Sequence, residues 1–275
     1  MYRTIRHFCM GGGMNLRDKV AVVTGASMGI GRAIGLALAR EGAQVVGTAR
    51  GEPELESFFE EVRPLSPGSS VFSTDVSDPQ AVARLFETVS ERYARVDVLV
   101  NNEGLEDRRS ILETTREDVD RVMSVNFGGV VNCSLAVIPD MVSRGSGRIV
   151  NVVSAAGRSP IGREPAYCAS KAAITAFSES ISYELEPLGV RVQVLYPGYV
   201  GGTRMAKEAA RAGQQTPPKL VQRTPEQVAA ALLAGLNSSS FEINSARLET
   251  LAPLVRSVAP RLYRRQIERT QPSDR

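Results

Sequence analysis

A tyrosine and a lysine four residues apart, in the segment Tyr167-Cys-Ala-Ser-Lys171, are the side chains best suited to acid–base chemistry. On a helix, positions i and i+4 share a face, so the phenol and the ammonium would point the same way. A nearby cation favours the phenolate and lowers the tyrosine pKa, which makes the phenol a usable acid or base near neutral pH. Seven tyrosines and four lysines would give about 0.1 such pairs by chance, so the pair alone is only suggestive.

Two polar residues could contribute to the same chemistry. Ser154 follows an apolar run at 149–153, and in open α/β sheets ligands bind at the carboxyl ends of the strands. Asn126 lies in an uncharged stretch of eighteen residues, 122–139, which favours a buried helix. Both residues also have structural interpretations, because Ser154 could cap a strand end and Asn126 could be a hydrogen-bonded core amide.

A glycine-rich turn, Thr24-Gly-Ala-Ser-Met-Gly-Ile-Gly31, joins the first apolar run to a segment with helical periodicity. Small residues let the backbone approach a pyrophosphate, and the N–H groups and dipole of a helix N-terminus attract its charge. An ordinary strand-to-helix turn would also be rich in glycine, but the position at the first junction of an alternating chain favours a dinucleotide site. The predicted contacts are Gly25, Ser27, Gly29, Ile30 and Gly31.

The end of the second apolar run indicates which dinucleotide this turn would bind. NAD sites usually place Asp or Glu about twenty residues after the glycines, where it accepts a hydrogen bond from the ribose 2′-hydroxyl. Here the run ends Thr48-Ala-Arg50, and a guanidinium can bind a 2′-phosphate that a carboxylate would repel. The sequence therefore predicts NADP(H). NAD(H) is the alternative, because Arg50 could be a solvated surface residue and Glu52 lies close by.

The elements that would position these residues alternate between strands and helices. Continuously apolar, β-branched runs occur at 20–23, 45–48, 71–74, 96–100, 149–153 and 190–195. Such runs are typical of strands buried on both faces. Helix starts are marked by the N-cap residues Asp78, Thr115 and Thr224. The pattern predicts an α/β fold, a single doubly wound Rossmann-type domain with a parallel sheet flanked by helices on both faces.

We expect three parts along the chain: a flexible leader at 1–13, the catalytic domain at 14–247, and a basic, partly helical tail at 248–275. One helical face of the tail would carry Leu251, Leu254, Val255, Val258 and Leu262. This face would pack on the subunit or its dimer mate, make peripheral contact with a membrane, or cover an apolar substrate. Pro253 and Pro260 argue against one uninterrupted helix.

Composition and charge exclude several classes of protein. The 275 residues are 43% hydrophobic, and the net charge of +3 is too small a surplus to indicate a nucleic-acid binder. The single histidine, His7, is near the N-terminus, so the core offers neither a Ser-His-Asp triad nor a His-rich metal site. Three widely spaced cysteines indicate no disulfide framework, and the N-terminus does not resemble a secretory signal. We expect a soluble, cytoplasmic protein without a metal.

Seven elements follow one another along residues 16–236: the turn at 24–31, Asp75, Asn101-Asn102-x-Gly104, Asn126, Ser154, Tyr167-x-x-x-Lys171 and Pro197-Gly198. In order and rough spacing they resemble the compact short-chain dehydrogenases/reductases. The resemblance implies an NADP(H)-dependent oxidoreductase that transfers a hydride between the dinucleotide and a carbonyl or secondary alcohol substrate. It also implies a homodimer or homotetramer.

The resemblance further implies a role for each matching residue. Tyr167 would be the general acid/base, Lys171 would hold the nicotinamide ribose and depress the tyrosine pKa, and Ser154 would bind the substrate oxygen. Asn126 would anchor a water in the proton relay. Besides the glycine turn, Arg50, Tyr167 and Lys171, the implied cofactor contacts are Asp75, Val76, Asn101, Pro197, Gly198, Val200 and Thr203.

Three residues depart from the family pattern. Glu103 stands where the family usually has alanine in Asn-Asn-Ala-Gly. If it faces inward, its charge would weaken cofactor binding or need a partner such as Arg108 or Arg109; if it faces outward, it is solvated. Met28 takes a position that is often basic in NADP-preferring relatives, and Thr203 falls one residue later than usual.

Two functional classes remain open on the sequence alone. The intact set of catalytic residues favours an enzyme, whereas Glu103 favours a non-catalytic NADP-binding sensor or scaffold of the same fold. An epimerase, a dehydratase or an enoyl reductase is disfavoured by the glycine spacing or by the tyrosine–lysine spacing. The substrate pocket would be lined by 155–164 and 203–219, which carry no substrate signature. Relatives with similar tails act on hydrophobic alcohols and ketones, so a hydrophobic substrate is one option.

Overall fold

The computed structural model describes residues 14–211, 216–246 and 252–270. Its strands are β1 Val20–Thr24, β2 Gln44–Ala49, β3 Ser70–Ser73, β4 Val98–Asn101, β5 Gly147–Val152, β6 Val190–Tyr196 and β7 Glu242–Asn244. They form one parallel sheet in the order β3-β2-β1-β4-β5-β6-β7. The direction of winding reverses between β1 and β4, and a doubly wound sheet binds its ligands beside that point at the carboxyl edge.

The sheet is covered by helices on both faces. In chain order the helices of the described residues are α1 Gly29–Arg40, α2 Glu52–Val62, α3 Pro79–Tyr93, α4 Arg116–Met123, α5 Gly129–Arg144, α6 Ala155–Arg158, α7 Pro165–Leu185, α8 Arg204–Arg211, α9 Pro225–Leu236, α10 Ala252–Val258 and α11 Pro260–Thr270. One apolar core lies under α1, α2 and α9, and a second lies under α3, α5 and α7. The predicted fold class is confirmed.

Strand β1 shows why its sequence is continuously apolar. Ala21 and Val23 belong to the core under α1, whereas Val20 and Val22 belong to the core on the opposite face. Successive side chains of a strand point to opposite faces, so a strand covered on both sides needs apolar residues at every position. Because β1 is buried on both faces, its uninterrupted apolar sequence identifies it as a central strand.

The predicted helix starts are also found in the structure. The side chain of Asp78 accepts a hydrogen bond from the backbone N–H of Gln80, at 2.8 Å, and Pro79 follows as the first helical residue. Thr115 and Thr224 each form a reciprocal capping box with the third residue of the helix that follows. These side chains satisfy backbone donors that a helix leaves unpaired at its start, so the caps determine where α3, α4 and α9 begin.

Two features of the backbone differ from the sequence prediction. The chain forms a seventh strand, β7, which is not among the six apolar runs predicted as strands, and it pairs with β6 through Val194, Leu195 and Tyr196. The uncharged stretch 122–139, which is expected to form a buried helix, contains a π-helical turn, Ser124–Gly128, between α4 and α5. The wider turn contains Asn126, and such turns often occur at functional sites.

The long helical stretch Arg116–Arg144 is long and apolar enough to span a membrane by length and composition alone. In this fold it packs against other elements, and 44% of its most apolar window is buried within the protein. Soluble proteins have core helices of the same composition.

The C-terminal tail forms two short helices, α10 and α11, which meet at Ala259. Pro260 begins α11, as expected of a residue that cannot continue a preceding helix. Leu254, Val258 and Leu262 are more than half exposed on the single chain. The predicted leader at 1–13 and Leu251 of the predicted apolar face lie outside the described residues.

Candidate active site

Ser154, Tyr167 and Lys171 come together beyond the carboxyl end of β5. Tyr167 and Lys171 are one turn apart on α7 and are only 6% and 4% exposed. Lys171 Nζ lies 5.7 Å from the centroid of the Tyr167 ring and donates a hydrogen bond to the carbonyl of Val152, at 3.1 Å. Ser154 hydrogen-bonds to the Tyr167 hydroxyl. The three side chains could therefore orient an oxygen atom and exchange a proton with it.

Short elements around α7 hold this group in place. Ser154 is the N-cap of α6, and its Oγ accepts a hydrogen bond from the backbone N–H of Ala156, at 3.2 Å. A Cβ on Gly157 would lie 2.9 Å from the backbone of Lys171, so the absence of a side chain lets α6 pack tightly on α7. Ser154 thus caps α6 and also hydrogen-bonds to Tyr167, so its structural role and its predicted role in the site are compatible.

The pKa of Tyr167 is raised well above its usual value, chiefly by burial and further by the Glu106 carboxylate, while the Ser154 hydrogen bond acts in the opposite direction. Burial lowers the pKa of Lys171 to about 8, against the influence of Glu106 and Glu103. In the protein alone the pKa of Tyr167 is therefore raised, and desolvation of the phenolate is the largest influence on it; the depression by Lys171 that the resemblance implies stays a prediction. Tyr167 therefore holds its proton throughout the neutral range.

Asn126 is fully buried and holds the segment that follows β4. Its Oδ1 accepts from the backbone N–H of Leu105 at 2.7 Å, and its Nδ2 donates to the Leu105 carbonyl and to Ser170 Oγ, each at 2.9 Å. A Cβ on Gly104 would lie 3.5 Å from Lys171 Nζ and 3.7 Å from Asn126 Oδ1, so the amide and the ammonium approach the same point of the backbone. Asn126 thus positions the segment that covers the lysine.

The glycine turn, residues 24–31, forms a cradle between β1 and α1. Gly25 and Gly29 have φ angles of +64° and +56°, a backbone region that favours glycine. Met28 provides no side-chain cap for α1, and the first turn of that helix contains no acidic residue. Donor groups and a positive dipole end are therefore presented to an anion, and these residues fit the pyrophosphate of a dinucleotide.

Asn102 fixes the cradle to the segment after β4. Its Nδ2 donates to the carbonyl oxygens of Thr24 and Gly25, at 3.0 and 3.3 Å, and its backbone N–H donates to Thr24 Oγ1 at 2.9 Å. A Cβ on Gly31 would lie 2.1 Å from the Gly25 carbonyl oxygen, so glycine is required there. Sequence reasoning placed Asn102 in a motif but did not assign it to the site.

The side chain of the neighbouring residue, Asn101, points into the protein. Its Nδ2 donates to Asn151 Oδ1 at 2.8 Å and to Ser134 Oγ at 3.2 Å, and Asn151 Nδ2 donates to Ser178 Oγ at 2.8 Å. We refer to these four buried side chains as the amide ladder. Since successive residues of a strand point in opposite directions, an inward Asn101 leaves the next residues to face the cradle.

Three predicted residues follow the carboxyl ends of β2 and β3. Arg50 is exposed at the end of β2. The Asp75 carboxylate accepts hydrogen bonds from the backbone N–H and the hydroxyl of Ser77, at 2.9 and 2.6 Å. Burial would raise the pKa of Asp75, but these bonds and the Arg50 charge lower it below its usual value. Val76 is buried, and a Cβ on Gly129 would lie 2.6 Å from its Cγ2.

The loop after β6 closes over the cradle from the opposite side. Gly198, after Pro197, has a φ of +71°, and Val200 forms an isolated parallel bridge with Arg223. Thr203 Oγ1 accepts from the backbone N–H of Ala206, at 3.1 Å, and so caps α8. A Cβ on Gly29 would have Thr203 Cγ2 3.7 Å away. The structure therefore brings Thr203 next to the glycine turn.

Glu103 faces inward. A Cβ on Gly25 would lie 2.9 Å from Glu103 Oε2, which places the carboxyl group against the cradle. Burial raises the pKa of Glu103, and so does Asp75, whereas Arg50 and Lys171 act in the opposite direction. The carboxyl group thus lies in the cleft rather than in solvent.

A buried ionic cluster beside Tyr167 was not anticipated from the sequence. Arg108 pairs with Glu106 and with Glu164, the latter at 3.7 Å, and both carboxylates influence the Tyr167 hydroxyl. Burial raises the pKa of Glu106 to about 7 despite the hydrogen bond from Arg108. Glu164 stands three residues before the tyrosine, and that proximity was the available signal.

Within the described residues there is no group of three or more His, Cys, Asp or Glu side chains that could hold a metal ion. The buried acids of the site are paired with arginines or lie singly in the cleft.

Comparisons with known proteins agree with this geometry. The family model described as short chain dehydrogenase matches residues 19–214. The probable oxidoreductase EphD of Mycobacterium tuberculosis is 40% identical over 184 residues, which are 66% of this chain and 31% of EphD, so this chain spans less than a third of that relative. The 3-oxoacyl-(acyl-carrier-protein) reductase FabG of Escherichia coli K12 is 33% identical over 73% of this chain and 82% of its own.

Solved structures give the same result. A short-chain dehydrogenase from Streptomyces avermitilis is 30% identical, covers 92% of this chain and 98% of its own, and superposes with a TM-score of 0.78. A metagenomic short-chain oxidoreductase solved in complex with NADP is 29% identical, covers 84% of this chain and 96% of its own, and gives a TM-score of 0.71. The cradle, the tyrosine–lysine pair and these matches together show that the chain belongs to the short-chain dehydrogenase family of oxidoreductases.

Proposed function

We propose that this protein transfers a hydride between NADP(H) and a carbonyl or secondary alcohol substrate, with Tyr167 as the general acid/base. The observation that carries the proposal is the convergence of Ser154, Tyr167 and Lys171 beyond the carboxyl end of β5. The nicotinamide, when bound, supplies the hydride chemistry, and the protein supplies orientation and electrostatics. A fold kept only for binding would not need this set of side chains.

Each member of the group has a distinct task in this reaction. Ser154 donates a hydrogen bond to the substrate oxygen, and Tyr167 delivers a proton to it during reduction or removes one during oxidation. The phenol keeps its proton at neutral pH, as a proton donor must, and the positive charge of Lys171 favours release of that proton to the substrate oxygen. Lys171, whose ammonium lies beneath the segment at Gly104, holds the ribose hydroxyls and supplies a positive charge beside the tyrosine.

NADP(H) is the proposed dinucleotide, with NAD(H) as the alternative. Arg50 is exposed at the end of β2, where an NAD-specific protein would carry an acid. A guanidinium there can form charge-assisted hydrogen bonds with a 2′-phosphate. The inward Glu103 favours a second candidate, a non-catalytic NADP-binding sensor, since a carboxylate in the cleft opposes the phosphates of a cofactor.

A thermal-shift titration with NADPH and NADH, followed by a screen of ketones and quinones, tests the proposal. A ligand at a hundred times its dissociation constant stabilises a fold by about 2.7 kcal/mol, equivalent to roughly 5–10 °C in a chain of this size. Stabilisation together with NADPH-dependent reduction of a ketone supports the enzyme. Stabilisation without turnover on the whole panel supports the sensor. The absence of stabilisation by both dinucleotides contradicts both candidates.

The active form is proposed to be a homodimer or homotetramer built on α5 and α7. Leu135 and Tyr183 are 60% and 70% exposed on these helices in the single chain, an unusual position for large apolar side chains. Light scattering after size-exclusion chromatography gives the mass directly. Leu135→Glu should lower that mass; a monomeric parent protein would rule out the assembly.

The apolar face of the tail is proposed to contact the dimer mate, with a membrane surface as the alternative. Leu254, Val258 and Leu262 remain exposed on the single chain, and Arg256, Arg261 and Arg264 alternate with them. A chain truncated after residue 247 should lose mass in light scattering if the tail contacts the mate. It should instead lose flotation with anionic vesicles if the tail binds lipid. A hydrophobic carbonyl substrate is compatible with a tail that contacts the dimer mate and with a tail that contacts a membrane.

A further inference from the structure

The position of Glu103 is determined by the backbone around it. Its backbone N–H donates to Thr24 Oγ1 at 2.9 Å, which fixes the segment relative to the end of β1. A Cβ on Gly25 would lie 3.1 Å from Glu103 Cα and 2.9 Å from its Oε2. The carboxyl group therefore occupies the space that the missing side chain of Gly25 leaves open. The backbone of a bound dinucleotide would have to approach through the same space.

Charged groups face Glu103 from three elements. Arg50 at the end of β2 and Lys171 on α7 attract a carboxylate there, whereas Asp75 after β3 repels one. Burial adds a penalty for the ionised form, and burial is the largest influence on the pKa of Glu103, which it raises. In the protein alone, two cations therefore favour the ionised form of this carboxyl group, whereas burial and the Asp75 carboxylate favour the neutral form.

The arginines nearest along the chain do not neutralise this carboxyl group. Arg108 pairs with Glu106 in the cluster beside the catalytic tyrosine. Arg109 pairs with Asp107 at 3.1 Å and with Asp118. Because both arginines form ion pairs with other carboxylates, neither is the partner that an inward Glu103 was expected to need. Phosphates entering the cradle would therefore meet a carboxylate with no dedicated counter-ion of its own segment.

We propose that Glu103 couples dinucleotide binding to the uptake of one proton, so that the cofactor binds to the form of the protein in which this carboxyl group is neutral. The inference rests on the proposed function, because it needs a dinucleotide in the cradle. The proton comes from solvent and attaches to a carboxylate oxygen, and no other bond changes. The neutral carboxylic acid can donate a hydrogen bond to a phosphate or ribose oxygen, whereas the carboxylate repels the phosphate.

The same coupling makes Glu103 a determinant of cofactor affinity. Linkage requires that a ligand which binds with the uptake of one proton loses about tenfold in affinity for each pH unit above the carboxyl pKa. Glu103→Gln keeps the size and the hydrogen-bonding capacity of the side chain but cannot ionise. Glu103→Ala restores the residue usual at this position in the family and serves if the glutamine variant folds poorly.

The test measures binding of NADP⁺ and NAD⁺ from pH 5.5 to 8.5 by isothermal titration calorimetry, in two buffers with different ionisation enthalpies. The parent protein should take up close to one proton per dinucleotide near pH 8, and its Kd should rise about tenfold per pH unit there. Both Glu103 variants should show at least about tenfold tighter binding at pH 8 and a smaller proton uptake. Glu87→Gln, an exposed acid on α3, is the matched control and should behave as the parent.

Titration of the 2′-phosphate of NADP⁺ contributes equally to the proton uptake of the parent and of each variant, because all of them bind the same ligand. The difference in proton uptake between variants therefore reports on Glu103. Equal proton uptake and equal pH slopes in the parent and in both Glu103 variants would overturn the inference while leaving the proposed function intact. A protein that binds neither dinucleotide at any pH, with or without Glu103, would overturn the proposed function and this inference with it.

Discussion

The side chain of Asn126 holds the backbone of Leu105 by two hydrogen bonds, one to its N–H and one to its carbonyl. The amide lies in the π-helical turn between α4 and α5, and the backbone that it holds follows β4. The segment fixed in this way carries Glu103 and Glu106, the two acids that influence Lys171. The Asn126 amide, together with Thr24 Oγ1 at the other end of the segment, therefore holds these acids near the tyrosine–lysine pair.

Asn126→Ala should destabilise the protein by about 2 kcal/mol, because it leaves the N–H and the carbonyl of Leu105 without their side-chain partner in a buried site. Urea denaturation measures the change. Asn132→Ala is the control, since its amide donates only to the Val76 carbonyl among the bonds seen here and its side chain is less buried. Equal losses in the two variants would contradict a special role for Asn126.

Tyr167→Phe should lower turnover by a factor of about 100 or more and leave NADPH affinity nearly unchanged, because it removes the proton donor but not the ring. The matched control is Tyr93→Phe at the end of α3, whose hydroxyl bonds to Ser70 Oγ and to the Gly68 carbonyl. Steady-state rates and a binding titration on both variants separate chemistry from binding. Full activity in Tyr167→Phe would refute the acid/base assignment.

Glu106→Gln should make the protein more stable at high pH relative to the parent. The carboxyl pKa rises from 4.5 in the unfolded chain to about 7 in the folded protein, so the folded form binds the proton more tightly. The parent therefore loses stability as the pH rises from about 5 to 8, by about 3 kcal/mol at most. The glutamine variant should lack this loss. Glu91→Gln, an exposed acid on α3, should show the same pH dependence as the parent.

Arg50→Ala should weaken NADPH binding by about tenfold to a hundredfold and leave NADH binding nearly unchanged, because only the 2′-phosphate would lose a charge-assisted contact. Arg116→Ala, whose guanidinium is exposed on α4, controls for the loss of a positive charge. Parallel titrations with the two dinucleotides give the ratio. Equal weakening of both would assign Arg50 to general attraction rather than selectivity.

Six strands and the helix caps could be predicted because each has a local cause. A strand buried on both faces needs uninterrupted apolar residues, as β1 shows, and Asp78 caps its own helix through a neighbouring N–H. The short strand β7 could not be predicted, since Ile243 is its single buried residue and its pairing is supplied by β6. Strand pairing between distant segments leaves no local signal of this kind.

The candidate site also has features that the sequence predicts and features that only contacts between elements determine. The tyrosine–lysine pair and the glycine turn are encoded in spacing along the chain, and the structure brings them to one edge. The inward direction of Asn101, the raised pKa of Tyr167 and the pairing of Glu106 with Arg108 depend on burial and on contacts between elements. Sequence motifs identify such residues, but only the packed structure determines which way they point and how strongly they hold protons.

The amide ladder also fixes the rotation of α7 about its own axis. Ser178, which accepts from Asn151, stands seven residues after Lys171, about two turns and 10 Å along the helix, on the same buried stripe. A slip of one residue would turn that stripe by about 100° and break a buried hydrogen bond. These buried hydrogen bonds therefore hold α7 in the rotation that directs the phenol toward Ser154 and the ammonium toward the Val152 carbonyl, and the residues that fix this orientation lie about two helical turns from the lysine.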